Sequence, residues 1–464
     1  MTTIETIQAF IKEKAEQFGA KTDNDFNKSY VERKNIGAEA LQDNGAYFGF
    51  IHPDEENSGP FHDFSLTIFP SAENKPWLIC LGIGSLGFKN DYELATFPGL
   101  RRLFVQLINE RGNCKSDFSD IETGLPKNIT ANDDLQHIKN TIKTYTKVLP
   151  VCQIVDDPLS AKGQKTIAAF VAGYAKLRDW PTNNGHRNAI SDALKDFTKE
   201  EVEDDVTEIL KLLKERKYVV LQGPPGTGKT RTAKLIADSL KAKSFFTQFH
   251  AETTYSDFIY GIRPKLNSEN LAYTENNGVF VQALLHATQT KEPTLLIIDE
   301  INRANLSNVL GPIFYLFEYK QDVTNATIEI SPALKIDKIP DNFYVIATMN
   351  TADRSLAVVD FALRRRFAWY NLKPKQIKPK TGKFYSDDFF SLKKIFEWYA
   401  NSNELTLQPG QAYFLALSDD EMTNRIRYEL YPLIKEYLQE GLLRSAREEF
   451  NNYFMNRINK SLFE

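Results

Sequence analysis

Cysteine is scarce: Cys80, Cys114 and Cys152 are the only three in 464 residues. An odd number at wide spacing fits neither a disulfide framework nor a C-x-x-C metal knuckle, so the expectation is three buried free thiols. Also absent is any run of about 18 consecutive apolar residues, which excludes a predicted membrane-spanning helix. The N-terminal MTTIETIQAFIKEKAEQ mixes charge with apolar residues where a secretory leader carries an apolar block. Both absences point to a cytoplasmic chain with no membrane role. Charge of one sign is missing as well: 57 Lys and Arg stand against 61 Asp and Glu, a net charge of −4. Bulk charge therefore does not announce nucleic-acid binding, which would need a local basic patch. No internal repeat and no long low-complexity segment occurs.

What is present is ordinary globular material, 42% hydrophobic and 25% charged. The length suits roughly three domains at about 150 residues each. The breaker-rich DWPTNNGHRN, 179–188, marks a division. Upstream, 1–185 reads as an α+β domain: helical periodicity over 2–18, strands at AYFGF (46–50), FSLTIFP (64–70) and PWLICLGIG (76–84), and helices over 99–110 and about 133–148. Downstream, 195–375 alternates strand and helix, which implies a parallel sheet with helices on both faces. Its strands are YVVLQG, SFFTQF, TLLIIDE and FYVIATMN. Helices are predicted after each, including one around 255–260, VFVQALLHATQ, NLSNVLGPIFYLFEYK and LAVVDFALRRR, with a polar β-rich insert before the last strand. Residues 376–464 read as a helical lid.

The chemistry concentrates at strand ends. GPPGTGKT, comprising Gly223, Pro224, Pro225, Gly226, Thr227, Gly228, Lys229 and Thr230 and followed by Arg231, fits the G-x-x-x-x-G-K-[ST] P-loop between an apolar strand and an amphipathic helix. Its glycines let backbone N–H groups wrap phosphates at a helix N-terminus. Lys229 is placed for the β and γ phosphates, and Thr230 for Mg²⁺. In TLLIIDE, Asp299 and Glu300 stand at the carboxyl end of a buried strand, where doubly wound sheets bind ligands. Asp299 is expected in the Mg²⁺ shell and Glu300 as the residue that polarises the attacking water. FYVIATMN delivers Asn350 to the same edge, where an amide can orient that water. Arg364, Arg365 and Arg366 close a helix at LRRRF. Cations there suit the helix dipole, yet a guanidinium on that side also lets one ring subunit reach a neighbour's γ phosphate, a contribution on the order of 10³ to 10⁵ in rate.

These motifs, with Phe249-His250, YSDFIYGIRP, IIDEINRANLSNVLG and MNTADRSLAVVDFALRRRF, resemble the McrB family, in the AAA+ branch related to MoxR and dynein. The resemblance covers about residues 200 to 440. It implies an α/β P-loop AAA+ module with a helical lid, hydrolysing GTP or ATP with Mg²⁺ in a ring, typically a hexamer. It further implies an McrC-type nuclease subunit as partner, with DNA engaged through the N-terminal domain or the ring pore. Asn350 becomes the sensor 1 residue. Asp353 and Arg354 become a signature loop beside the nucleotide, and Arg303 with Arg364, Arg365 and Arg366 of LRRRF lies near the subunit interface. No N-K-x-D guanine-selecting loop follows the P-loop. In LQPGQAYF, Gln411-Ala412 stand where the family commonly has a Gly-His pair, and Arg425 and Arg427 are candidates for a lid sensor or for solvated helix charge.

The N-terminal domain resembles a target reader only by position. Candidate contacts are Arg101, Arg102, Arg111 and Lys115, and a stripe of Lys139, Lys143 and Lys147 that a solvated face also explains. Tyr47, Phe48, Phe50 and Trp77 fit either a flipped-base pocket or a core. Glu32-Arg33-Lys34 has carboxylate-x-Lys spacing without a convincing partner acid, so cutting is expected from another polypeptide. A MoxR-like motor that remodels a protein substrate is the alternative reading of the same core.

Overall fold

Runs such as YVVL, TLLII and YVIAT are apolar on both faces, a pattern that suits strands covered from two sides. A computed structural model of the chain describes residues 2–22, 27–42, 45–71, 76–84, 97–115, 125–130, 143, 145–198, 204–264, 273–317, 327–331, 334–352, 361–379 and 381–463. The chain divides into two compact units, Met1–Glu201 and Val202–Glu464.

The first unit is built on an antiparallel sheet of six strands: β1 (Val31–Asn35), β2 (Tyr47–Ile51), β3 (Phe64–Phe69), β4 (Trp77–Ile83), β5 (Gly112–Cys114) and β6 (Val151–Val155), in the order β1-β2-β3-β4-β6-β5. Helix Ala161–Leu177 packs against β4 and against helix Thr3–Gln17. Ser160 caps its start by accepting the N–H of Gly163 at 3.1 Å. Cys80 and Cys152 face each other across β4 and β6 as buried free thiols, whereas Cys114 is only half-buried at the sheet edge, short of the burial expected for it. Most of the helix expected over 133–148 lies outside the described residues.

The second unit contains β7 (Tyr218–Gly223), β8 (Lys243–Gln248), β9 (Tyr260–Pro264), β10 (Tyr273–Asn277), β11 (Thr294–Asp299), β12 (Ile328–Ser331), β13 (Leu334–Ile336), β14 (Phe343–Asn350) and β15 (Ala368–Asn371). Five of these make a parallel sheet, order β15-β7-β14-β11-β8. Period 2 splits its side chains between two layers. Val220, Leu296, Ile298, Val345 and Ala347 pack with Phe280 and Phe317 on one face. Val219, Leu221, Leu295, Ile297 and Ile346 pack with Ile209, Leu213 and Ile236 on the other. Each such large side chain contributes about 1.5–3 kcal/mol on burial, enough to fix the register that carries the site.

Several elements differ from the sequence reading for local reasons. The helix expected through NLSNVLGPIFYLFEYK is a short α-helix, Leu306–Leu310, followed by a 3-10 segment, Gly311–Phe317. Gly311, at φ 47°, turns the chain and Pro312 has no N–H to continue the ladder. The helix expected around 255–260 is one turn, Tyr255–Phe258, which runs into the β9–β10 hairpin. The lid segment has its own core of Phe389, Phe396, Ile434, Phe450 and Phe454. Its helices Tyr431–Gln439 and Arg447–Ile458 are separated where Gly441 takes φ 80°. Among the described residues no helix is long and apolar enough to cross a membrane.

Candidate functional site

Because β14 lies between β7 and β11, three strand ends arrive side by side. Asn350 stands opposite Gly223, and Asp299 opposite Gln248. Past Gly223 the chain makes its turn with Gly226 and Gly228 at φ 79° and 83°, left-handed positions that glycine adopts without strain, and the helix Lys229–Leu240 begins. Thr227 Oγ1 ties the loop by donating to Pro224 O at 2.9 Å. The buried Lys229 ammonium donates to Gly223 O at 2.9 Å, to Pro224 O at 3.0 Å and to Asn350 Oδ1 at 2.6 Å. Arg231 is exposed on the first helical turn.

Asn350 faces both ways. Its Nδ2 donates to Glu300 Oε1 at 2.5 Å, so Lys229, Asn350 and Glu300 form one hydrogen-bonded row. Glu300 adopts φ 54°, ψ 50°, a left-handed conformation that is uncommon for a side-chain-bearing residue and clusters at functional sites. Its Oε2 lies 3.4 Å from Arg303 Nε. Burial pushes the Glu300 carboxyl above its ordinary range; the charges of Arg303 and Lys229 oppose that rise, and the neighbouring Asp299 adds to it. A carboxylate so placed is a proton acceptor poised closer to neutrality than a solvated one.

Asp299 Oδ1 accepts two hydroxyls, from Thr230 at 2.7 Å and from Thr348 at 2.6 Å. Thr348 Oγ1 in turn accepts the Glu300 N–H at 3.1 Å, fixing the turn that presents Glu300. Thr348 was not singled out from the sequence. Its signal was a lone hydroxyl in an otherwise apolar strand, two residues before Asn350, and its side chain is 1% exposed. A carboxylate beside a hydroxyl is the all-oxygen donor set that Mg²⁺ takes when phosphates complete its shell. Thr230 and Asp299 fit that use. Beside Glu300 opens a pocket lined by Gln248, Phe249, His250, Glu300 and Arg303.

The lid closes over the P-loop from its other side. Gly410 N–H donates to Pro225 O at 2.9 Å, Ala412 N–H to Gly226 O at 3.0 Å, and Gln411 Nε2 to Thr227 O at 2.6 Å. Arg425 is bracketed by Glu421 and Glu429 at 3.5 and 3.3 Å, which makes it a helix-surface ion pair, and Arg427 is exposed.

The arginine triplet divides. Arg364 and Arg365 are exposed, with the Arg364 guanidinium 5.3 Å from the Trp369 ring, whereas Arg366 is buried 4.3 Å over Phe314. Arg303 is partly exposed on the pocket rim. Asp353 and Arg354 lie outside the described residues. In the first unit Lys115 is buried, its ammonium bound to Thr146 O at 2.8 Å and Lys147 O at 3.2 Å, so it holds the fold and is no surface contact. Arg111 pairs with Asp156, and Arg101 and Arg102 are half-buried. Lys139 lies outside the described residues; Lys143 and Lys147 are exposed. Phe48 and Trp77 meet edge to face at 6.0 Å inside the core, while Tyr47 borders a cavity. Glu32 pairs with Lys12 at 2.6 Å.

Residues 218–367 match the AAA domain of the dynein-related subfamily. Over 203 residues the chain is 37% identical to the type IV methyl-directed restriction enzyme EcoKMcrB subunit of Escherichia coli (strain K12), covering 42% of this chain and 43% of that one. It is 28% identical to the type II restriction enzyme BsuMI component YdiS of Bacillus subtilis (strain 168), over 33% of this chain and 56% of the relative. The chain thus spans about half the length of the curated relatives it matches. The RuvB Holliday junction branch migration motor of Thermotoga maritima is similar at 21% identity, with a TM-score of 0.24, over 43% of this chain and 50% of that one.

Proposed function

We propose, for a chain that belongs to the McrB family of AAA+ proteins, that it hydrolyses GTP or ATP with Mg²⁺ as the motor subunit of a DNA-restricting complex. The observation that carries the reading is the hydrogen-bonded row Lys229–Asn350–Glu300, drawn from three separate segments to one sheet edge. Lys229 and the P-loop N–H groups, with Arg231 alongside, hold the phosphates; Thr230 and Asp299 hold Mg²⁺. Held by these residues, Mg²⁺ would supply charge neutralisation for the nucleotide's phosphate groups. Glu300 accepts a proton from the attacking water while the Asn350 amide orients it. Arg364 or Arg365 reaches the γ phosphate of the neighbouring subunit in a ring, a hexamer by family resemblance, with Arg303 and the loop bearing Asp353 and Arg354 at the same interface.

In this reading residues 1–185 form a target-recognition domain, 195–375 the nucleotide-binding domain and 376–464 the lid. An McrC-like subunit supplies the nuclease, and DNA is engaged through the recognition domain or the ring pore in the cytoplasm, as part of phage defence. The names of the two relatives, both restriction-enzyme components, favour this over a protein-remodelling motor. The test is phosphate release by the purified chain with GTP and with ATP, each with Mg²⁺, alongside mass by light scattering and with DNA added. Nucleotide-dependent assembly and DNA-stimulated release are expected. Release from neither nucleotide, with DNA and a McrC-type subunit present, overturns the enzyme; stimulation by protein and not by DNA overturns the restriction role.

A further inference from the structure

The helix Asp205–Arg216 leads into β7, the strand that ends in the P-loop, and its first turn carries two carboxylates, Asp205 and Glu208. Acidic residues there suit the helix dipole without any partner. Here they also have partners. The Tyr370 hydroxyl of β15 lies 2.9 Å from Asp205 Oδ1 and 2.8 Å from Glu208 Oε2, one O–H shared between two acceptors. Burial, together with those two carboxylates, pushes the Tyr370 phenol well above its ordinary value, so it stays a donor. Asp205 is thereby turned to present its other oxygen, Oδ2, to the ammonium of Lys375, which donates to it.

Lys375 lies on the connector between β15 and the lid, just past Pro374. Both ends of this residue are engaged: its ammonium holds Asp205, and its backbone N–H donates to Gln411 Oε1 at 3.3 Å. The same Gln411 carboxamide donates through Nε2 to Thr227 O of the P-loop at 2.6 Å. Gln411 is buried, and a buried carboxamide takes its orientation from protein partners. Three hydrogen bonds therefore run from the first turn of the helix, through the connector and the lid, to the phosphate loop. The helix end of this path is anchored, because Ile209 and Leu213 pack with Val219 and Leu221 of β7. The Lys375 side chain is half exposed, and an ion pair of that kind adds little to stability. What it supplies is position: Pro374 restricts the backbone on one side of Lys375, and Asp205 fixes its side chain.

We propose that Asp205 is a positioning residue for the nucleotide: by holding Lys375 it sets Gln411, and Gln411 sets the Thr227 carbonyl and with it the P-loop N–H groups that take the phosphates. The inference rests on the nucleotide-binding role proposed above for the P-loop. Asp205 touches no phosphate itself. Its loss leaves every P-loop residue present but lets the Gln411 carboxamide settle in more than one orientation. Phosphate contacts then weaken, while Asn350 and Glu300 keep their own hydrogen bond. The effect falls on nucleotide affinity and KM and spares kcat, the pattern of binding lost equally from ground and transition states.

The full chain is titrated with fluorescent N-methylanthraniloyl GTP and ATP, each with Mg²⁺, and turnover is followed by phosphate release. Lys375→Met keeps the N–H to Gln411 and removes the ammonium; Asp205→Asn removes the charge it meets. Each should raise Kd and KM about fivefold, the scale of one exposed ion pair. Values of kcat should stay within about twofold and Tm within about 1 °C of the parent, and Lys375→Arg should bind like the parent. Adding Lys375→Met to Gln411→Ala should weaken binding no further, because both act through one carboxamide. Parent-like affinity in Lys375→Met and Asp205→Asn overturns the proposal and leaves the nucleotide-binding role standing. So does a loss that multiplies with that of Gln411→Ala, which shows a separate route, or a loss matched by a fall in Tm, which marks the pair as holding the fold. A parent chain that binds neither nucleotide overturns the nucleotide-binding role itself.

Discussion

Lys229 and Asn350 are joined by a 2.6 Å hydrogen bond that spans 121 positions of sequence. The same Asn350 holds Glu300 through its amide nitrogen. A phosphate that draws the Lys229 ammonium toward itself frees Asn350 Oδ1, and the amide that positions Glu300 then has an acceptor to offer a water. The P-loop cation and the proposed general base are therefore coupled through one side chain.

Asn350→Ala is expected to leave nucleotide binding largely intact, since Gly223 O and Pro224 O still hold Lys229. Turnover should fall by on the order of 10² or more, the usual scale for disabling positioned general-base catalysis. Binding followed by a fluorescent nucleotide and turnover followed by phosphate release separate the two. Unchanged turnover removes Asn350 from the mechanism.

Glu300→Gln tests the same carboxylate through stability. Burial raises the Glu300 pKa in the folded chain, so the folded state holds the proton more tightly than the unfolded one. Stability from this group is fully present below the unfolded carboxylate value of about 4.3 and is lost as pH rises through the folded value. Glutamine cannot ionise and escapes that loss. Its Tm should exceed the parent's at pH 8, by on the order of 2 °C, and the difference should shrink toward pH 4. Hydrolysis should be lost throughout. A lower Tm at pH 8 contradicts the assigned cause of the shift.

Arg303 opposes the rise in the Glu300 pKa from 3.4 Å away. Removing its charge in Arg303→Met lets that pKa climb further, so the base protonates at higher pH. The acid limb of kcat against pH should move upward relative to the parent, beyond any uniform loss of rate. Superimposable acid limbs after scaling show that Arg303 does not act on Glu300.

The parts of this site that the sequence made legible are those whose chemistry is packed into a few consecutive residues. GPPGTGKT and TLLIIDE name their own strand, turn and ligand atoms, because a phosphate cradle and a strand-end carboxylate need fixed spacing. What joins distant segments was not legible. Thr348 looked like strand filler until Asp299 and the Glu300 N–H were brought to it. Arg364, Arg365 and Arg366 read alike as consecutive cations, and only the packing of Phe314 separates the buried one. In the first unit β1, VERKN, is too charged to read as a strand because it lies at the sheet edge.

That separation of arginines gives its own test. Arg366→Ala removes a buried cation–π contact and its packing, and should cost roughly 2 kcal/mol of stability. Arg364→Ala and Arg365→Ala should leave Tm within about 1 °C of the parent, as exposed changes do. If either supplies the group that reaches a neighbour, its loss should cut turnover by about 10³. Mixing that variant with Glu300→Gln subunits should restore part of the activity, since some interfaces then pair an intact Glu300 with an intact arginine. No recovery on mixing, with assembly demonstrated, places the arginine's action within its own subunit.

Gln411 binds Thr227 O at 2.6 Å across 184 positions, and its Oε1 accepts the Lys375 N–H at 3.3 Å. With Gly410 and Ala412 donating to Pro225 O and Gly226 O, three consecutive lid residues satisfy three consecutive P-loop carbonyls. Their hydrogen bonds fix the orientation of those carbonyls, and with it the orientation of the P-loop N–H groups. Gln411→Ala leaves the buried Thr227 carbonyl without this partner, a loss of about 1–3 kcal/mol if docking weakens by that amount. KM should then rise about tenfold with a smaller change in kcat, the mark of weakened binding in ground and transition states alike. Gly410→Ala is the sharper change: its Cβ would stand 2.1 Å from Gly226 C and 2.3 Å from Thr227 N, so the lid segment cannot seat at all. It should bind nucleotide more weakly than Gln411→Ala while the lid's own core, which does not include residue 410, keeps it folded. Parent-like KM in both variants means that lid docking does not shape the phosphate cradle.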